Sequence, residues 1–306
     1  MARFARYEKP SDVDSLERLS QKLTADLRNH IRFMGDYPVL STEWKEMANN
    51  MMRFGEISEM ERNLPKQENA TLWECEELAL RYILEDGKLN LCLRLLVEYK
   101  DFEQGSIHRV LDEETHRITA NFERGLGVML KNAWLHVEAL QTTDLPLLLN
   151  YIASVLTFCE ENPQYVESKD LADSQEVIVI HYLLGLFKQL EHISESRIMP
   201  IVQEKQIFAL LVSHVERHWR LFHPHDVHAA MVVLALMCDT EDFQTHAESY
   251  LSSGATCRSL SALQDEVLDE LTHDDLDTRK ELRPLLDVVL QYASGRSSTS
   301  SSKARK

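Results

Sequence analysis

The chain has 306 residues, 44% apolar and 27% charged, and its 33 lysines and arginines face 50 acidic side chains for a formal net charge of −17. It is too rich in leucine, isoleucine, valine and phenylalanine for wholesale disorder. The sign of the charge argues against a surface built to neutralise nucleic-acid phosphates or to lie on anionic lipid. With 9 glycines and 8 prolines, punctuation falls below the average usage of roughly 7% and 5%, which disfavours long glycine-turned sheets.

Helical spacing starts at Ser11, where Asp14 stands three residues on as in a capping box with Asp in place of Glu. Leu16, Leu19, Leu23, Leu27 and Ile31 then draw a narrow apolar seam, stopped by Gly35 and Pro38. A second amphipathic stretch carries Trp44, Met47, Met51 and Phe54, and Pro65 marks the connection after it. From Asn69 the pattern becomes denser: Leu72, Cys75, Leu78, Ala79, Tyr82 and Ile83 share a face. Beyond Gly87, residues 89–99 are apolar nearly all round, as in a central helix. The stretch 106–134 reads as a longer helix bent near Gly125 and Gly127.

Asp144-Leu145-Pro146 opens the next helix, with proline in the first turn where its missing N–H costs nothing. Tyr151, Ile152, Val155, Leu156 and Cys159 form its stripe, and Asn162-Pro163 ends it. Within 174–193, Val177, Ile178, Val179 and Ile180 alone would suit a strand, but the length of the segment favours a buried helix that includes Leu183, Leu184 and Phe187. Further helices are expected over about 200–219, 224–238, 241–251, 259–272 and 275–292. The Ser-rich basic tail over 294–306 has no core-forming side chain and reads as disordered.

The segments 155–162 and 234–241 share an apolar run, a cysteine and an acidic turn, an echo at about twice the ~40-residue period of helical repeats. The apolar helix from Ile152 into Glu160-Glu161-Asn162-Pro163 resembles the last helix and return turn of an armadillo repeat. That resemblance implies an all-α fold, a right-handed α-solenoid of stacked helical hairpins of the armadillo or HEAT kind. Residues 1–64 would be an N-terminal helical extension or cap, residues 65–293 the repeat domain. A stack of this kind exposes a long groove with little chemistry of its own. The expected function is accordingly non-enzymatic: an adaptor, scaffold or regulatory subunit that binds a peptide or helix of another protein, without cofactor, nucleic acid or membrane.

Several constellations bear on that expectation. His214 and His218 are spaced i and i+4, and His225 and His228 i and i+3 on the following helix, so that two pairs could meet around Zn²⁺, with Asp226 beside them. Glu216, however, points about 200° from His214 and is misplaced for a zinc-protease motif. The expected reading is partly exposed histidines near a helix–helix turn, with no stoichiometric metal site; a metal-binding helical enzyme or metal-stabilised module is the alternative. A self-associating structural protein, paired through the Leu16–Ile31 seam, is another. The acidic run Asp265, Glu266, Asp269, Glu270, Asp274, Asp275 and Asp277 lacks the alternating ligands and glycine of a Ca²⁺ loop. Interleaved with Leu263, Val267, Leu268 and Leu271, it reads as a solvated helix face, and Asp269, Glu270, Asp274 and Asp275 are its candidates for a basic partner segment. Cys75, Cys92, Cys159, Cys238 and Cys257 are odd in number and form no CxxC pair. They are expected as reduced core thiols of a cytoplasmic or nuclear protein, in line with the absence of a signal-like apolar run in the first ten residues.

Far-UV circular dichroism should therefore be dominated by helix. Solution scattering should give a radius of gyration above the ~19 Å of a compact domain of this length. A substantial sheet signal would overturn the architecture.

Overall fold

A computed structural model describes residues 137–167 and 175–251, together with scattered positions at 41–43, 45–46, 89–90, 93–94, 96–97, 130, 258–259, 262, 284 and 287. The chain divides into two compact units, Met1–Asn132 and Ala133–Lys306. The described residues are all-α: helices and short turns, with no strand among them. In the first unit Leu89, Leu93 and Leu96 are buried at helical spacing, while Arg94 is exposed and Asn90 and Val97 are half-buried. The helix expected to be central thus shows a polar side at these positions. The helices expected over 11–31 and 69–83, all of the one expected over 106–134 except the buried Leu130, the tail and the acidic run lie outside the described residues.

In the second unit the elements are α1 (Val137–Thr142), α2 (Leu145–Glu161), α3 (Pro163–Glu167), α4 (Gln175–Lys188), α5 (Met199–Glu204), α6 (Ile207–His218), α7 (Pro224–Cys238) and α8 (Glu241–Tyr250). Short 3-10 turns lie at Leu190–His192, Glu195–Arg197 and Trp219–Leu221. The start of α2 follows its sequence: the Asp144 side chain accepts the Leu147 N–H at 3.1 Å, and Pro146 occupies the first turn. Such a cap contributes about 1 kcal/mol by satisfying one of the orphan donors at the helix start. At its end, Asn162 closes on the Phe158 carbonyl through both its backbone N–H (2.9 Å) and its side-chain amide (3.0 Å), and Pro163 opens α3.

The helix expected over 200–219 is two. Lys205 closes α5 with its N–H directed to Ile201 O, and Gln206 takes a left-handed φ of 53°, which reorients the chain before α6. The apolar spacing marks this break only by the five-residue step from Val202 to Ile207, between the three-residue step from Met199 and the four-residue step to Leu211.

The four long helices pack in an order that follows chain position. α4 packs most extensively against α7 and α2 against α6; within each successive pair, α2 meets α4 and α6 meets α7. First lies on third and second on fourth, so α2 and α6 form one layer, α4 and α7 the other. In the α4/α7 layer, α4 buries all of its residues except His181, Leu184 and Lys188. Those three share one side, and Leu184 is accordingly half-buried, where full burial was expected. Between α2 and α6, Glu160 accepts from Ser213 Oγ (2.5 Å) and from Arg217 Nη2 (2.7 Å). With Arg217 and Glu160 partly exposed, the ion pair is worth at most about 1 kcal/mol, and it serves chiefly to set the register of the two helices.

At the far end Phe208, Phe243 and Tyr250 form an aromatic trio, with ring centroids 5.0 Å apart for Phe208–Phe243 and 4.8 Å for Phe243–Tyr250. This docks α8 on α6, and the Tyr250 hydroxyl donates to Asp242 Oδ2 at 2.6 Å. No helix among the described residues is long and apolar enough to cross a membrane.

Phe187, 3% exposed in α4, tests the α4/α7 layer. Replacing it with Ala should lower the unfolding free energy by about 3–5 kcal/mol in a denaturant titration. A loss under about 1 kcal/mol would place this face of α4 at the surface.

Candidate functional site

Two polar clusters interrupt the apolar packing. The first lies where the start of α4 meets α2 and α6. Gln175 is fully buried, and its Oε1 accepts from the hydroxyls of Tyr151 (2.9 Å) and Tyr182 (3.3 Å), which removes the penalty of burying an amide oxygen. One residue on, the Glu176 carbonyl accepts from His214 Nε2 at 2.7 Å.

His214 and His218 are 2% and 1% exposed, not the partly exposed histidines expected at a turn. The reason is their register: they continue the inward stripe of Phe208, Leu211 and Val215 on α6. Their rings lie 5.3 Å apart, and Phe222 covers His214 at 5.3 Å. Neither ring nitrogen of His218, nor Nδ1 of His214, has a hydrogen-bond partner among the described residues. Burial, reinforced by the neighbouring His218, pulls the His214 pKa from its ordinary 6.5 down to about 4 against the opposing effects of Glu176. Burial also lowers that of His218, against the opposing charge of Glu167. Both rings are neutral at physiological pH.

The second cluster lies where α4 meets the first turn of α7. Asp226 Oδ1 stands 2.6 Å from His181 Nε2 and 3.1 Å from His225 Nε2. Asp226 is 4% exposed, His181 half-buried, and the side chain of His225 64% exposed. Burial alone would raise the Asp226 carboxyl, but the hydrogen bonds and charge of the two imidazoles overcome it and hold the group well below the usual carboxylate range. His223 stacks on His225 with 5.5 Å between centroids and 11° between planes.

The metal candidates weighed from the sequence are therefore divided. His214 and His218 face inward from α6, whereas His225 projects at the surface; His228 lies half-buried further along α7. The group of three metal-capable side chains that converges among the described residues is His181, His225 and Asp226. His181 was missed because it stands at i+45 from its partner, and its visible signal was a single polar residue ending the run Val177, Ile178, Val179 and Ile180. Asp269, Glu270, Asp274 and Asp275 lie outside the described residues. Of the cysteines, Cys159 and Cys238 are buried, and burial, with Asp239 nearby, raises the Cys238 pKa far above its ordinary value. Such a thiol is protonated and unreactive.

Comparison with protein-family models, curated proteins and solved structures found no match to this chain.

The buried histidines make stability depend on pH in a definite direction. Between about pH 6.5 and 4 the unfolded chain binds a proton at position 214 that the folded chain excludes, so stability falls as pH falls through this window. The loss from His214 is on the order of 3 kcal/mol, and His218 acts with the same sign. Urea midpoints at neutral pH and near the bottom of this window should show a large drop in the parent and a smaller one in His214→Gln, which retains a donor for the Glu176 carbonyl. Equal drops would mean that position 214 is not the buried titrating group.

Proposed function

We propose that this chain is a protein-binding adaptor or regulatory subunit without enzymatic activity, built on an armadillo- or HEAT-like α-solenoid. The observation that carries the reading is the order of helix contacts, α2 on α6 and α4 on α7. In a simple up-and-down bundle each helix packs on the next in the chain, whereas stacked hairpins pack first on first and second on second. Repeats that cannot bury their own faces do so by this stacking, which leaves an extended surface for a partner. The apolar side chains of α4 and α7 are occupied in the stack, and a net charge of −17 favours a partner with a basic segment. The burial of Cys159 and Cys238 agrees with a cytoplasmic or nuclear setting.

The acidic residues Asp269, Glu270, Asp274 and Asp275 are the proposed capture surface. The test begins with a protein recovered on the intact chain and reconstituted from purified components. Association should slow as salt rises while dissociation changes less, because steering acts on encounter. Neutralising all four residues together should slow association on the order of tenfold at low salt with unchanged helical content. Unaltered association would show that this run is merely solvated, and failure of any protein to reconstitute a complex would sink the adaptor reading.

A further inference from the structure

We propose that His181, His225 and Asp226 form a binding site for a divalent transition metal of the Zn²⁺ class. One donor atom from each lies within 4.8 Å of the other two, and the carboxylate Oδ1 is already the common point of both Nε2 atoms. Two imidazoles and one carboxylate are a donor set that suits zinc, cobalt, nickel and ferrous iron rather than Ca²⁺ or Mg²⁺, which prefer oxygen alone.

The placement favours an ion in three ways. First, the donors sit on α4 and the first turn of α7, the two helices in most extensive contact, so little ordering remains to be done on binding. Second, Asp226 is nearly fully buried and brings its carboxylate to the point where two imidazoles converge, while the exposed His225 leaves a route of entry from solvent. Third, the rearrangement is small. Zinc–ligand distances of about 2.0–2.2 Å place neighbouring donors roughly 3–3.5 Å apart. The carboxylate oxygen therefore backs away from His181 Nε2 by less than about 1 Å, and the exposed His225 ring, turning within the range its stacking on His223 allows, closes the remaining gap.

Coordination needs a lone pair on each Nε2. In a neutral ring the proton moves to Nδ1, and from an imidazolium one proton leaves to solvent. Three protein ligands leave at least one position for water, as in open zinc sites. His223, stacked on His225, stands beside the ring that must turn and limits its orientations. This inference is independent of the adaptor reading, since it rests on a cluster outside the acidic run.

The test uses the full chain stripped with a chelator. Zn²⁺ is titrated by calorimetry, and Co²⁺ is added as an optical probe whose visible bands report nitrogen and oxygen ligation. One ion per chain is expected, with a higher thermal midpoint when it is bound. His225→Ala, at an exposed position that the fold does not need, should weaken binding at least about tenfold with unchanged circular dichroism. Asp226→Asn should do the same, while His246→Ala and His192→Ala, at exposed positions elsewhere, should bind as the parent does. Absence of saturable one-to-one binding would reduce the cluster to a hydrogen-bonded triad and overturn the proposal. So would equal affinity in His225→Ala, or a loss of binding in His214→Gln instead.

Discussion

α4 has almost no side to spare for solvent, and the rest of the second unit is arranged around that constraint. A helix that buries Val177, Ile178, Val179, Ile180, Tyr182, Leu183, Leu186 and Phe187 needs neighbours on several sides at once, and α2 and α7 provide them, with α6 closing on its first turn through His214. Each large apolar side chain so buried contributes roughly 1.5–3 kcal/mol. The same enclosure means that any polar group carried by α4 must find its partners inside. Gln175 finds two tyrosine hydroxyls, the Glu176 carbonyl finds His214, and His181, on the open side, finds Asp226.

These polar contacts set register more than they add stability. A hydrogen bond that replaces one to water has a net worth of about 1 kcal/mol, yet a buried donor or acceptor left without one costs about 1–3 kcal/mol. A slip of α4 along α7 would strand Asp226 away from His181; a rotation of α4 would carry Gln175 and Tyr182 away from Tyr151. The apolar surfaces of α4 and α7 tolerate several alignments, and the polar atoms on them tolerate one. His218 does not take part in this: both of its ring nitrogens lack a hydrogen-bond partner among the described residues.

How much of this was legible depends on the range of the interaction. The start of α2 was, because Asp144 and Pro146 act within one turn, and so were its end at Asn162 and the helical nature of 175–188. The break at Gln206 was not, since its cause is a backbone reversal that any polar residue can adopt at a cost, with no glycine to announce it. The echo between 155–162 and 234–241 pairs the end of α2 with that of α7, helices whose most extensive contacts are with α6 and α4 respectively and not with each other. The histidines were visible as a cluster in sequence, but spacing along one helix cannot say which ring turns inward. Only the packing of α6 separates His214 and His218 from His225, and only the contact between α4 and α7 brings in His181.

The start of α8 is fixed from two directions. Thr240 Oγ1 accepts the Phe243 N–H locally at 3.2 Å, while Glu195 Oε1 accepts the Asp242 N–H at 2.7 Å from a turn entered through Ser194 at φ 31°. Ten residues are too few to hold a helix alone in water. α8 therefore depends on a non-local contact: part of its first-turn anchorage comes from a residue that precedes α5, α6 and α7 in the chain. A nascent chain that has emerged as far as Cys238 already holds that borrowed carboxylate in waiting, and the helix that uses it can only follow.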